Sequence, residues 1–279
     1  MPFLGYEKWE EHLYKPYDKV DVDIPCDDLE AYRLYPSLRH LYYKPIVLDM
    51  LGVYNAPSGS PVDRYPLIQK PVFNPWGMGM GVKVFDGDYD KDRDYVPGHF
   101  LMEKWEGEHK SIDMLVRDGE VLFHQSTIGY PGPGQTFDYW ELIQDELLIS
   151  DDIRTLVTST HFTGCINIEL ISGNIVEICL RHSGQFVDMY DPKFLDNVVQ
   201  LYKGNNITQM RQASQQYSVP VFVNELSEVA LNVVHPLLIK TIDPDCSPKG
   251  GIRLGYINAS NLDIAMEARK EILHVIDNH

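Results

Sequence analysis

The sequence predicts an α+β fold built on antiparallel sheets. Apolar segments of strand length follow one another across turns, and the clearest turn is Asp118-Gly119, a strong hairpin signal. Segments with helical spacing lie among these strands, for example "SNLDIAMEARKEILHVIDN" near the C-terminal end. Because consecutive strands are mostly joined by turns rather than by helices, the pattern favours antiparallel sheets over a doubly wound parallel sheet.

The first part of the chain has weaker signals than the rest. Residues 1–35 are rich in Tyr, Asp and Pro and are predicted to be irregular, with one short helix at residues 9–13. Helical spacing then begins after Ser37, a candidate N-cap, and stops at Gly52. Pro45 lies within this spacing and would kink the helix or divide it in two.

The remaining elements are predicted from alternation, apolar runs and caps. Ser150 is a candidate N-cap, with two aspartates in the first turn of the helix that follows. Strands are predicted at 66–73, 219–224 and 251–258, hairpins at 110–129 and 165–184, and helices at 150–161, 191–204 and 260–278.

Composition and charge exclude several classes of protein. The formal net charge is -17 at pH 7 over 279 residues, which argues against a nucleic-acid groove or an anionic lipid surface as a partner. No apolar run approaches the ~20 residues that span a bilayer, and no signal peptide is indicated. The four cysteines (Cys26, Cys165, Cys179 and Cys246) form no CxxC pair. We therefore expect a cytoplasmic protein that binds neither nucleic acid nor a membrane.

The hairpin "CINIELISGNIVEICLRHSG" (165–184) carries charges inside apolar strands. Glu169 and Glu177 are eight residues apart across a tight turn, so a regular hairpin would place them nearly opposite each other. Two like charges there repel, unless a hard cation such as Mg²⁺ lies between them. Arg181 adds a planar fork that suits phosphate or carboxylate. The alternative is two carboxylates on the exposed face of a half-buried sheet, which the pattern alone leaves open.

A second stretch, "PLIQKPVFNPWGMGMGV", joins a strand to a glycine-rich loop. Glycines allow backbone N–H groups to approach phosphate oxygens, and Lys70 adds a positive charge. No GK[ST] follows, so this is not a Walker A loop. The alternative is an ordinary hairpin turn. In the third stretch, "FLMEKWEGEHKSIDMLV", Glu103 and Lys104 would lie at a sheet edge whose backbone groups can pair with an adenine.

Taken in order, the three stretches resemble the ATP-grasp superfamily of carboxylate–amine ligases. The resemblance covers roughly residues 38–279, and its strength lies in the ordered set rather than in any one motif. Fewer than 40 residues precede the lead-in helix, so we expect no full N-terminal domain of the kind that relatives carry. The resemblance implies two α+β subdomains with antiparallel sheets that enclose a nucleotide cleft.

The resemblance also implies a domain organisation. An irregular N-terminal segment (1–35) would precede a lead-in helix and linker (36–65). The small subdomain, with the glycine-rich loop and hinge, would span 66–128. The large subdomain, with the metal and phosphate site, would span 129–279.

Each site residue receives a role from the resemblance. Lys70 and Arg181 are the candidate catalytic residues, and Glu169 and Glu177 the candidate Mg²⁺ ligands. Ser183 and Gly184 would bind the substrate. ATP would contact phosphate-binding, adenine-binding and ribose-binding residues: Lys70, Gly77, Gly79, Gly81, Glu103, Lys104, Trp105, Glu108 and His109.

The implied activity is that of an ADP-forming ligase. ATP and Mg²⁺ would activate a small-molecule carboxylate as an acyl-phosphate, which an amine, a peptide or a thiol then attacks. Two alternatives stay open: a catalytically reduced ATP-grasp protein that binds nucleotide as a regulatory or assembly partner, and an ATP-grasp-like kinase. A homo-oligomer or a partner chain would complete the substrate site.

Three departures from the family pattern bear on these expectations. Cys179 stands where relatives have an Asn that binds metal, and a thiol is a poor Mg²⁺ ligand. His109 stands where many relatives have an acid that holds the ribose. The early phosphate-binding lysine of the lead-in helix has two candidates, Arg39 and Lys44.

Overall fold

Two antiparallel sheets of unequal size and a short parallel strand pair form the framework of the protein. The computed structural model describes residues 2–73, 79, 81–133, 136–144, 150–214, 216–243 and 251–278. The strands are β1 (Phe3–Leu4), β2 (Ile24–Pro25), β3 (Asn55–Pro57), β4 (Leu67–Pro71), β5 (Lys83–Phe85), β6 (His99–Glu103), β7 (His109–Arg117), β8 (Glu120–Pro131), β9 (Phe137–Ile143), β10 (Gly164–Ile171), β11 (Asn174–Cys179), β12 (Gln216–Val223), β13 (Leu238–Asp243) and β14 (Ile252–Ala259).

In the described parts of the chain, seven α-helices and four short 3₁₀ helices connect these strands. The α-helices are α1 (Glu11–Tyr14), α2 (Asp28–Leu34), α3 (Lys44–Met50), α4 (Asp151–Thr160), α5 (Phe194–Tyr202), α6 (Glu228–Asn232) and α7 (Leu262–Asp277). The 3₁₀ helices span Lys8–Glu10, Lys15–Tyr17, Pro36–Tyr42 and Gly184–Met189. Ser150 caps α4 as predicted, because its side chain accepts a hydrogen bond from the Ile153 N–H. Among the described residues, no helix is long and apolar enough to cross a membrane.

The larger sheet has eight strands in the order β11-β10-β7-β8-β9-β12-β14-β13, and every neighbouring pair is antiparallel. One face packs against α4 and the Pro36–Met50 segment through an apolar cluster that includes Ile112 and Ile168. The opposite face, around Trp140 and Cys165, packs against α5 and the N-terminal segment. At the far end, α7 covers β12 and β14.

The smaller sheet has four antiparallel strands in the order β3-β6-β4-β5. It ends at Glu103, and β7 already belongs to the larger sheet. The hinge therefore lies at residues 104–108. This corrects the predicted boundary at residues 128 and 129, because the hairpin of β7 and β8 pairs with β10 and β9 rather than with the smaller sheet.

The N-terminal segment has more regular structure than the sequence predicts. The pair β1–β2 is parallel, and the segment also contains α1 and α2. Phe3 and Tyr14 are almost completely buried against the larger sheet. The absence of a clear period in the sequence therefore reflects short elements that are stabilised by packing rather than a lack of structure.

The lead-in helix is divided at proline, as predicted. A 3₁₀ helix ends at Tyr42, and α3 begins at Lys44 with Pro45 in its first turn, where proline is tolerated. Ser37 does not act as the N-cap, because the first helix begins at Pro36. The Tyr42 hydroxyl accepts a hydrogen bond from the Leu180 N–H, 3.0 Å away, just beyond the end of β11.

Candidate active site

The two glutamates of the β10–β11 hairpin face each other, as predicted. The turn residues Ser172 (φ 49°) and Gly173 (φ 81°) both have left-handed conformations, which is the backbone of a tight two-residue hairpin turn. A register shift between Glu169 and Leu170 then makes Glu169 and Glu177 direct cross-strand partners, because the regular pairing from this turn would have brought Val176 opposite Glu169. Their side chains are 35% and 23% exposed, respectively. The hairpin thus holds two carboxylates side by side at one edge of the larger sheet.

Each carboxylate has a basic partner from another element. Lys44 Nζ lies 2.8 Å from Glu177 Oε1, and His109 Nε2 lies 3.2 Å from Glu169 Oε2. Burial raises the pKa of Glu169, but the His109 hydrogen bond and nearby positive charges outweigh it and the net direction is downward. Burial also raises the pKa of Glu177; Lys44 opposes the rise and the charge of Glu169 adds to it. Of the two candidates for the early phosphate-binding position, Lys44 lies at this site. Arg39 instead donates to the Tyr32 carbonyl and lies over the Tyr32 ring.

Lys70 adds a second positive charge. It lies in β4 opposite Phe100, and its side-chain amine makes no hydrogen bond or ion pair with any described residue. Burial and, to a smaller extent, the neighbouring Lys44 charge lower the pKa of Lys70 to about 8, although Glu177 and Glu169 oppose the shift. An amine with no partner beside a lysine and two glutamates suits an anion that would bind between the two sheets.

The glutamate pair fits a magnesium ion that is held mainly by a nucleotide. Within the described residues, no group of three or more His, Cys, Asp or Glu side chains is placed to hold a metal ion. Mg²⁺ commonly takes only one or two carboxylates and completes its shell with phosphate oxygens and water. Glu169 and Glu177 meet that requirement as a pair.

Arg181 lies at the exit of β11 and is already engaged. Its Nη2 donates to Asp28 Oδ2 at 2.9 Å and to Cys179 Sγ at 3.6 Å, and Nη1 donates to the His182 carbonyl at 3.4 Å. Burial is the largest single influence on the pKa of Arg181 and lowers it, but its neighbours, above all the charge and hydrogen bond of Asp28, together outweigh burial and the net direction is upward. Burial also raises the pKa of Cys179 well above its ordinary value, so the thiol is neutral. Cys179 contacts the guanidinium in this structure.

The candidate substrate residues Ser183 and Gly184 follow directly. The Ser183 N–H donates to both carboxylate oxygens of Asp113, at 3.1 and 3.0 Å. Asp113 is buried and also accepts from Tyr190, so it anchors this turn. Gly184 lies against a carboxylate: a Cβ built on it would meet Glu10 Oε1 at 1.8 Å. Only glycine fits beside Glu10 without a shift.

The candidate adenine-binding residues form the hinge. Glu103 ends β6, and the Lys104 N–H donates to the Pro66 carbonyl at 3.0 Å, so that donor is occupied. The Lys104 side chain pairs with Glu106. Trp105 packs on the apolar cluster of Leu48, Phe100 and Met102.

The candidate ribose residues are both paired within the protein. Glu108 is half-exposed and forms an ion pair with Lys110 at 2.8 Å, and its carbonyl accepts from the Ser172 N–H at 2.9 Å. The His109 ring bonds Glu169 and lies edge-on to Phe137 and Trp140. His109 therefore lies beside the candidate metal ligands.

The glycine-rich loop is described only in part. Gly77 lies outside the described residues. Gly79 (φ 62°) and Gly81 (φ 73°) have left-handed conformations, and a Cβ on Gly81 would lie 3.1 Å from Pro71 Cγ. The left-handed conformation therefore favours glycine at Gly81, and a larger residue would also require the Pro71 side chain to shift slightly.

Sequence reasoning missed three residues that border the site: Glu10, Tyr14 and Asp28. All three belong to the N-terminal segment and contact residues 181–184. No motif or period marks them, and only the burial of carboxylates at Glu10 and Asp28 shows that they have a specific environment. The sequence contains no signal that would have found them.

Comparison with known proteins gives a clear result for structure and none for sequence. No protein-family model and no curated protein matches the chain. N5-carboxyaminoimidazole synthetase from Staphylococcus aureus is similar with a TM-score of 0.63 at 12% identity, over 96% of this chain and 84% of that one. L-amino acid ligase from Bacillus licheniformis is similar with a TM-score of 0.59 at 14% identity, over 94% and 81%.

A third similar structure is carboxyaminoimidazole ribonucleotide synthase from Aspergillus clavatus complexed with ATP, with a TM-score of 0.58 at 14% identity over 96% and 79%. At these identities the likeness shows the fold alone. The likeness extends over almost the whole chain, and the two sheets, the hinge and the glutamate hairpin occur in the predicted order. The chain therefore has the ATP-grasp fold.

Proposed function

We propose that the protein is an ATP- and Mg²⁺-dependent ligase that activates a carboxylate as an acyl-phosphate for attack by an amine or a thiol. The observation that carries the proposal is the glutamate pair Glu169 and Glu177, which lies beside Lys44 and beside Lys70, whose amine has no partner among the described residues. Paired carboxylates suit a metal ion, and the lysines suit the phosphates that such a metal accompanies. The similar proteins include a ligase and a synthase complexed with ATP, which supports the assignment.

In the proposed reaction, a carboxylate oxygen of the acid attacks the γ-phosphorus of ATP. The bond from that phosphorus to the bridging oxygen breaks, and ADP leaves with the acid held as an acyl-phosphate. The amine nitrogen or thiol sulfur then attacks the acyl carbon, the bond to the phosphate oxygen breaks, and inorganic phosphate leaves. The nucleophile gives up one proton to solvent.

The residues of the chain would position the reactants and neutralise negative charge on the phosphates during these steps. Lys44 and Lys70 would bind phosphate oxygens, and the hinge residues Glu103, Lys104 and Trp105 would hold the adenine. Glu169 and Glu177 would hold Mg²⁺, which lowers the negative charge on the transferring phosphoryl group. Arg181 would face the γ-phosphate, and Ser183 and Gly184 would contact the acid. The glycine-rich loop with Gly77, Gly79 and Gly81 would fold over the phosphates.

A catalytically reduced nucleotide-binding protein is the second candidate, and Cys179 favours it. A neutral thiol that contacts Arg181 supplies no oxygen ligand to a metal. This protein would bind nucleotide without turnover. Phosphate transfer to a hydroxyl would instead give a kinase. A cytoplasmic location and a partner chain at the substrate site stay predictions.

The test measures ADP and phosphate release against pairs of one carboxylic acid and one amine or thiol. Release that requires ATP, Mg²⁺ and both partners supports the ligase; nucleotide binding without turnover for any pair contradicts it. Glu177→Gln removes one carboxylate charge at similar size and should abolish Mg²⁺-dependent nucleotide binding. Glu267→Gln on the exposed face of α7 is the matched control. Unchanged affinity in Glu177→Gln would contradict the metal assignment.

A further inference from the structure

Three side chains of the N-terminal segment contact the short stretch that follows β11. Asp28 bonds Arg181 at 2.9 Å, and the Tyr14 hydroxyl lies 3.0 Å from His182 Nε2. The Glu10 carboxylate lies against Gly184. The N-terminal segment, which contains no recognised motif, therefore contacts the candidate phosphate-facing and substrate residues.

Asp28 has an environment that calls for an explanation. It is 8% exposed, and its second carboxylate oxygen, Oδ1, is buried and has no hydrogen-bond partner among the residues that the structure describes. A buried carboxylate is costly unless a cation compensates it, and Arg181 is the cation that it contacts. The pairing is monodentate: a single hydrogen bond joins Arg181 Nη2 to Asp28 Oδ2. It therefore orients the guanidinium and leaves its other N–H groups outside this ion pair.

The position of Asp28 is fixed by its own surroundings. Asp28 is the first residue of α2, and Asp27 caps this helix by accepting from the Glu30 N–H at 2.7 Å. The strand just before it, β2, pairs with β1. These contacts hold the start of α2 in place, so the carboxylate approaches Arg181 from a rigid support.

We propose that Asp28 is a positioning residue, which orients Arg181 toward the terminal phosphate of the bound nucleotide. This inference rests on the proposed function. Asp28, Cys179 and the His182 carbonyl together restrict a side chain that otherwise has several free rotations, and a preoriented guanidinium loses less freedom when phosphate binds. Because Arg181 would meet the γ-phosphate, the effect of Asp28 falls on ATP and spares ADP.

The experiment compares the affinities of ADP and of a non-hydrolysable ATP analogue by calorimetry with Mg²⁺ present. We expect Asp28→Asn to reduce the preference for the ATP analogue over ADP by about tenfold, while the affinity for ADP changes less than about twofold. Asp28→Glu, which keeps the charge, should retain most of the preference. Asp27→Asn is the matched control, because it removes the adjacent charge and keeps the helix cap.

A double-mutant cycle separates positioning from a structural role. If Asp28 acts through Arg181, then Asp28→Asn in an Arg181→Met background changes the nucleotide preference no further. Equal loss of both nucleotides, or an unchanged preference in folded Asp28→Asn, would overturn the inference. A wild-type protein that binds neither nucleotide would overturn the proposed function and this inference with it, whereas wild-type preference for the ATP analogue that survives in Asp28→Asn overturns only the inference.

Discussion

Lys70 and Arg181 are two partly buried cations near the same pair of glutamates, and the protein treats them in opposite ways. Lys70 makes no ion pair with any described residue, and its pKa is lowered to about 8 by burial and by Lys44. Arg181 is bound by Asp28, and its pKa lies well above the ordinary value. The difference follows from chemistry, because a lysine can lose its proton when buried and an arginine cannot.

The two cations would contribute differently to the binding of an anionic ligand. An anion that reaches Lys70 pairs with an amine that has no partner among the described residues, so none of them already compensates its charge. An anion that reaches Arg181 meets a guanidinium whose orientation is already set by Asp28. Lys70 is thus available to bind an anion, whereas Arg181 is already oriented and would fix the position of the anion.

The largest expected effect is on the free energy of unfolding, for which replacing Arg181 and replacing Lys70 should have different consequences. Arg181→Met leaves Asp28 as an uncompensated buried charge and should lower the free energy of unfolding by about 3 kcal/mol, at the lower end because Arg181 is itself partly exposed. Lys70→Met removes an unpaired charge and should leave stability unchanged or raise it. Chemical denaturation of both variants at pH 7 makes the measurement. Equal destabilisation would show that Lys70 has a partner of similar value.

A buried acid extends the comparison to the opposite charge. Burial is the main cause that raises the pKa of Glu10 to about 7. The unfolded chain releases this proton near the ordinary value of 4.5, so the folded state binds more protons between the two values. Stability should therefore fall as pH rises through this window, by about 3 kcal/mol in total.

Glu10→Gln should remove this fall. Urea denaturation between pH 4.5 and 8 would measure it, and Glu11→Gln, at an exposed position in the next helix, is the control. A wild-type protein whose stability is flat or rises across the window would contradict the assignment.

Nucleotide affinity should depend on the charge of Lys70. Because the folded-state pKa is about 8, the amine is charged below this value and neutral above it. Affinity for ADP should therefore fall by about tenfold between pH 7 and 9, whereas Lys70→Arg should lose this dependence. Calorimetric titrations at three pH values make the test; an identical slope in the variant would assign the dependence to another group.

The smallest expected effect concerns Cys179. Cys179→Asn places an amide oxygen, a suitable ligand for Mg²⁺, at the position beside Arg181. We expect the Mg²⁺ concentration for half-maximal nucleotide binding to fall about threefold. Cys179→Ala is the control for the loss of the thiol. An unchanged or higher requirement in the Asn variant would show that this position does not border the metal.

Local signals made much of this site predictable. The turn at Ser172-Gly173 predicts the hairpin, but a regular two-residue turn would pair Glu169 with Val176. The register shift between Glu169 and Leu170 is what places Glu177 opposite Glu169. Pro45 marks the division of the lead-in helix in the same way. These features depend on residues that are close in sequence, and their geometry follows from backbone conformation.

The contacts that the sequence does not predict join distant parts of the chain. Arg181 and Asp28 are 153 positions apart, and Tyr14 and His182 are 168 apart. Arg181 and His182 belong to the hairpin that the sequence singles out, but no sequence motif marks Asp28 or Tyr14. The predicted boundary between the two sheets also lies too far toward the C-terminus, because a hairpin signal at Asp118-Gly119 does not reveal which sheet the hairpin joins.

The hydrogen bond from the Leu180 N–H to Tyr42 has a consequence for self-association. β11 is an outer strand of the eight-stranded sheet, and outer strands offer unpaired backbone groups to neighbouring molecules. The Pro36–Met50 segment packs along this strand, and Tyr42 takes up an amide just beyond its end. The same segment that brings Lys44 to Glu177 therefore also occupies one backbone donor beside this edge, so that the Leu180 amide is not free for intermolecular strand pairing.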